Sequence, residues 1–138
     1  MTPEETVLAF HQATRNRDAS ALDFIAEDFV QHATGLQGRD GFRQTLATLD
    51  HDLDGPTTTI HRVVAQGDLV VVQLTMHGRH VASTMPLLAG LPPTGAEIAW
   101  EFIHIWRVAD GRIVEHWACR DDVGLLAQVG GWPPAGVR

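Results

Sequence analysis

The chain has 138 residues, 44% hydrophobic and 20% charged, which leaves room for one domain with one sizeable core and none for a second. Its formal net charge is -7, from seventeen acidic and ten basic side chains; that balance argues against a nucleic-acid or anionic-membrane surface, both of which need basic patches. The longest apolar runs, such as LVVVQL, are too short to span a bilayer. The N-terminus MTPEETVL lacks a charged-then-apolar signal pattern, so a single domain over residues 1–138, working in the cytoplasm, is expected. Cys119 has no second cysteine to pair with and reads as a small buried hydrophobe on a strand.

Thr2-Pro3-Glu4-Glu5 is a helix start, with Thr as N-cap, Pro in the first position and Glu three residues after the cap. Val7, Leu8, Phe10, His11 and Thr14 mark one face of that helix, which should end near Arg17. Asp18 caps a short second helix contributing Leu22, Phe24 and Ile25, and Phe29 to His32 reads as a brief extended piece. Phe42, Leu46, Leu49 and Leu53 predict a third helix over Gly38 to Leu53, closed by Asp54-Gly55-Pro56. His51 to Asp54 reads as its solvated end.

The pattern then changes to strands: Thr57 to Ala65 and Leu69 to His77, joined by Gln66-Gly67-Asp68, then Ile98 to Val108 and Arg112 to Cys119. Gly90 to Gly95, with Pro92 and Pro93, is a rigid loop. Leu125, Leu126 and Val129 predict a terminal helical turn stopped by Gly130-Gly131. Helices followed by a mostly antiparallel sheet predict an α+β domain with the helices on one sheet face.

Asp110-Gly111 is a strong two-residue hairpin signal. Counting outward from it, Trp106 opposes Glu115, His104 opposes Trp117, Phe102 opposes Cys119 and Trp100 opposes Asp121. Alternation then puts all of these on one face. Three tryptophans and a phenylalanine beside His104, Glu115 and Asp121 make an apolar wall with a few polar groups, as in small-molecule sites. Desolvation there favours a carboxylate that accepts and returns protons near neutral pH. The opposite face, with Ile103, Ile105, Val114 and Ala118 among charges, is expected to join two copies as a homodimer.

The segment Ile103-His104-Ile105, Asp110-Gly111, Glu115-His116-Trp117, Asp121 and Leu125-Leu126-Ala127-Gln128-Val129-Gly130 resembles the SnoaL-like polyketide (ester) cyclases of the nuclear transport factor 2-like superfamily. Phe29 to His32, Gly38 to Phe42, Gly78-Arg79-His80 and Pro92 to Gly95 extend the resemblance along nearly the whole chain. It implies an α+β cone around a deep pocket and a hydrophobic polyketide-type substrate closed into a ring by an aldol reaction, without metal or organic cofactor. Asp121 would be the acid and base, with His104, and His32 or His80, holding the enolate oxygen. Trp100, Phe102, Trp106, Glu115, Trp117 and, from the long apolar segment 82–89, Met85 would line the substrate site. The same family includes hydroxylases, isomerases and epoxide hydrolases, and the fold also serves as a non-catalytic binding module. Epoxide opening uses an Asp–Arg–Asp set, and the register above turns Arg107, Arg112 and Arg120 away from Asp121.

No His-x-His or helical His-Glu-x-x-His pair is present, so no metal site is expected. Ser83 lacks the Gly-x-Ser-x-Gly setting of a hydrolase nucleophile.

Overall fold

The structure, a computed structural model, describes residues 1–136. Helix α1 spans Pro3–Arg15, and the Thr2 hydroxyl accepts from the Glu5 N–H at 3.1 Å as the cap pattern predicts. It ends two residues before Arg17, whose φ of 53° breaks the helical path. Its buried face is Thr6, Val7, Phe10 and His11, while Leu8 is exposed. Asp18 caps a 3-10 turn over Ala19–Phe24, accepting from the Ser20 N–H. Strand β1 follows at Ile25–Gln31 and α2 at Gly38–Asp52. Gly41 is needed where it stands, since a Cβ there would lie 2.6 Å from the Leu36 carbonyl carbon.

Strands β2 (Leu53–Gln66), β3 (Leu69–His80), β4 (Glu97–Ala109) and β5 (Arg112–Arg120) complete one sheet in the order β1-β5-β4-β3-β2. All neighbours are antiparallel except β1 and β5, which are parallel. Asp54-Gly55-Pro56 does not close the preceding helix: it lies inside β2, at an irregularity between Asp54 and Thr57. Helix α3, Asp122–Gln128, ends the core, and the Gln128 side chain bonds both the N–H and the C=O of Ala99.

The Asp110-Gly111 turn forms as expected, with both residues at positive φ (52° and 75°) and Ala109 paired with Arg112. Beyond Val108–Ile113 the register departs from simple counting. A β-bulge at Val114 makes Arg107 oppose Glu115, Trp106 oppose His116, Ile105 oppose Trp117, His104 oppose Ala118 and Phe102 oppose Arg120. Every later residue of β5 therefore changes face. The exchange has a physical reason. Without the bulge the Glu115 carboxylate would enter an aromatic interior unpaired, at a cost of several kcal/mol. With it, Glu115 accepts from Arg107 Nε at 2.7 Å and from His32 Nε2 at 2.6 Å on the outer face. Cys119 is exposed for the same reason, and Ala118 leaves the outer face for the inner one.

The core lies between α1, α2 and the inner sheet face. Its centre is Trp106, 2% exposed, which packs on Phe10 and stacks on His116 with ring centres 3.9 Å apart. Truncating an aromatic so placed costs about 3–5 kcal/mol. Among the described residues no helix is long and apolar enough to cross a membrane.

Candidate active site

The inner sheet face and the helices enclose a hollow of about 440 Å3. Strand β4 supplies its floor as Trp100, Phe102, His104 and Trp106, alternate residues of one strand. Strand β5 adds His116, Ala118 and Arg120; α1 adds Phe10 and His11; α2 adds Phe42, Thr45 and Leu49. Met85, Pro86 and Leu87 close one side. A smaller space of about 220 Å3 shares His11, Thr14, Thr58 and Met76 with the hollow and runs toward Arg15 and Arg17.

Of the residues expected to line the site, Trp100, Phe102, His104, Trp106 and Met85 do so. Five lie elsewhere. Glu115 and Trp117 are on the outer face because of the bulge. His32 joins them there, stacked on Trp117 at 4.9 Å and bonded to Glu115. His80 is fully buried at the far end of β3, tied to Thr94 and Ser83. Its Nδ1 accepts from the Thr94 N–H, so Nε2 carries the proton and donates to the Ser83 hydroxyl; this pair binds the proline loop and does not activate Ser83. Asp121 is exposed and caps α3, its carboxylate accepting from the Gly124 N–H at 2.8 Å. The expected facing of His104 and Asp121 is thus corrected, and Arg120 takes the inward place.

His11, Gln31, His116 and Arg120 are among the polar side chains lining the hollow, and counting along strands placed none of them there. His11 sits on the apolar face of α1, next to Phe10. His104 Nδ1 and His116 Nε2 are 2.7 Å apart, and His116 Nδ1 is 2.7 Å from Gln31 Oε1. Arg120 lies over the Trp100 ring at 5.7 Å, a cation–π distance, and donates to Asp122, whose other oxygen accepts from Trp100 Nε1.

Burial holds all three imidazoles neutral. It pushes His11 down to about 4, assisted by the Arg15 charge, and His116 down to about 3, assisted by His11, Arg120 and His32. His104 is held well below the ordinary range by burial and then by His116, His11 and Arg120. The unfolded chain binds these protons near pH 6.5 and the folded chain does not. Stability is therefore full above that pH and falls as pH drops toward 4, by on the order of 3 kcal/mol for His11. Denaturant titrations at pH 7 and 4.5 should show this loss, and His11→Leu should make it shallower.

A helix-covered, mostly antiparallel sheet that walls an aromatic hollow is the nuclear transport factor 2-like architecture. Within it, residues 5–129 match the SnoaL-like polyketide cyclase family, and the chain belongs to that family of enzymes. The aklanonic acid methyl ester cyclase DnrD of Streptomyces peucetius is 29% identical over 120 residues, covering 85% of this chain and 80% of that protein. The nogalonic acid methyl ester cyclase of Streptomyces nogalater is 37% identical over 73 residues, 52% of each. The crystal structure of IdmH from Streptomyces antibioticus superposes with a TM-score of 0.79 at 31% identity, over 94% of this chain and 99% of that one.

Proposed function

We propose that this enzyme closes a ring in a hydrophobic, polyketide-derived ester by an intramolecular aldol reaction, using its own side chains and no metal or organic cofactor. The observation that carries the reading is the hollow's composition: an aromatic floor whose ionisable lining groups are His11, His104, His116 and Arg120. Its volume of about 440 Å3 is in the range of small-molecule sites. His104 removes a proton from the carbon beside a carbonyl, and the Arg120 cation stabilises the enolate oxygen. That carbon bonds to a ketone carbon of the same molecule, and the resulting alkoxide takes the proton back from His104. Burial disfavours a lone imidazolium, but an enolate formed beside it offsets that penalty.

The product is an isomer of the substrate, which makes the test direct. Incubation with a polycyclic methyl ester of the aklanonic acid type should give a new compound of unchanged mass. A gain of one oxygen would replace this reading with hydroxylation. A gain of water would indicate epoxide opening, which the inward Arg120 and its Asp122 partner favour more than the expected register did. Binding without turnover would leave only a ligand carrier.

The outer sheet face, with Ile103 44% exposed beside Ile105 and Trp117, is also proposed to bury itself against a second copy. Light scattering at micromolar concentration should give twice the monomer mass, and Ile103→Glu should halve it.

A further inference from the structure

The hydrogen bonds behind His104 run in one direction only, and their direction is fixed at a backbone amide. Gln31 Oε1 lies 3.0 Å from the Ala33 N and 2.7 Å from His116 Nδ1. A backbone N–H can only donate, so the Gln31 atom that meets both is its carbonyl oxygen and not its NH2. An amide oxygen only accepts, so His116 Nδ1 carries a hydrogen. A neutral imidazole has one N–H, which leaves His116 Nε2 as a lone pair. That lone pair sits 2.7 Å from His104 Nδ1, which must then be the protonated nitrogen of His104. His104 Nε2 has no hydrogen-bond partner among the described residues, and the half-buried ring borders the hollow.

We propose that Gln31 and His116 are positioning residues that hold His104 in its Nδ1–H tautomer and present the Nε2 lone pair to the substrate. The proposal rests on the reading that His104 moves a proton, and it sharpens that reading. In this tautomer His104 has no N–H to offer an enolate oxygen, so it acts as a proton acceptor, and oxyanion stabilisation falls to Arg120. Gln31 is 5% exposed and borders the hollow beside His116. The Gln37 side chain holds the backbone N–H and C=O of Gln31 at 2.8 Å each, which fixes where its amide stands.

The groups that set the charge around the pair come from every packed element. Strand β5 brings His116 and Arg120, α1 brings His11 with Arg15 behind it, and His32 follows β1. The hollow-lining residues of α2 and β3 that face it, Phe42, Thr45, Leu74 and Met76, carry no charge.

The test begins with the wild-type chain, labelled with 15N histidine, and two-bond nitrogen–proton correlation spectra at pH 7. His104 should show a protonated Nδ1 and a free Nε2; an Nε2–H signal for His104 overturns the proposal. This arm needs no substrate, so it stands even if the ring-closure reading fails. Gln31→Leu removes the acceptor and should mix the tautomers and lower kcat on the order of 10²-fold with KM little changed. Gln31→Glu keeps an acceptor and adds charge. It should restore the tautomer and move the acid limb of the kcat profile to higher pH. Gln31→Leu spectra identical to wild type, or an acid limb that Gln31→Glu leaves in place, overturn the proposal; a purely structural Gln31 would change only the melting temperature.

Discussion

His104→Ala is expected to lower kcat by roughly 10²–10⁴, the usual worth of a positioned acid–base group, while ligand binding measured by calorimetry stays within several-fold. The reason is placement: His104 lines the hollow with one ring nitrogen bonded to His116, on a floor that Trp100, Phe102 and Trp106 continue to form without it. Asp121→Asn is the informative companion. Asparagine is as good an N-cap as aspartate, so this variant should keep both its stability and its turnover. Asp121→Ala should lose about 1 kcal/mol of stability through the cap and nothing specific in kcat. Steady-state kinetics on all three variants decides the matter. If Asp121→Asn is dead and His104→Ala is active, the proton is carried by the strand-end carboxylate and the reading above is wrong.

The second large effect is expected at Asp52, which has no exposed surface although it ends a helix. Its carboxylate accepts from the Thr84 N–H at 3.1 Å, the Thr84 hydroxyl at 2.6 Å, the Met85 N–H at 2.7 Å and His51 Nδ1 at 2.9 Å. Burial pushes this carboxyl up, but those hydrogen bonds outweigh it and hold it below the ordinary aspartate range. Its contribution is thus present above about pH 4 and is lost as pH falls further. Asp52→Ala leaves two backbone N–H groups without partners, each worth about 1–3 kcal/mol. A total loss of about 3 kcal/mol and a melting point lower by roughly 10 °C should follow. The segment so fastened carries Met85, Pro86 and Leu87 into the hollow's wall, so ligand affinity should fall with it. Asp52→Asn, which retains one oxygen, should lose about half as much. A melting point unchanged in Asp52→Ala would show that the segment is held by its apolar packing alone.

Local signals made most of the fold legible. The Thr2 and Asp18 caps, the helical spacing of Phe42, Leu46 and Leu49, and the Asp-Gly turn each depend on neighbours within a few residues, and each forms as written. The floor of the site was legible for the same reason, since Trp100, Phe102, His104 and Trp106 alternate on one uninterrupted strand. What failed depends on distant partners. The Val114 bulge has no glycine to announce it, and its cause is the fit of Glu115 to Arg107 and His32. Nothing near Asp52 shows that a segment 32 residues later will cover it. Gln31 looked like part of an extended stretch, and its contact with His116 arises only when β1 lies parallel to β5.

The bulge at Val114 works as a frame setting for the β5 wall of the hollow. Whether Val114 is bulged or paired decides which of two interleaved sets looks inward. In the present frame these are His116, Ala118 and Arg120; in the other they are Glu115, Trp117 and Cys119, an acidic and bulkier lining on the same backbone. On such a scaffold an insertion that keeps the bulge would switch the lining with no side chain replaced, whereas deleting Val114 would remove the bulge and keep the present one.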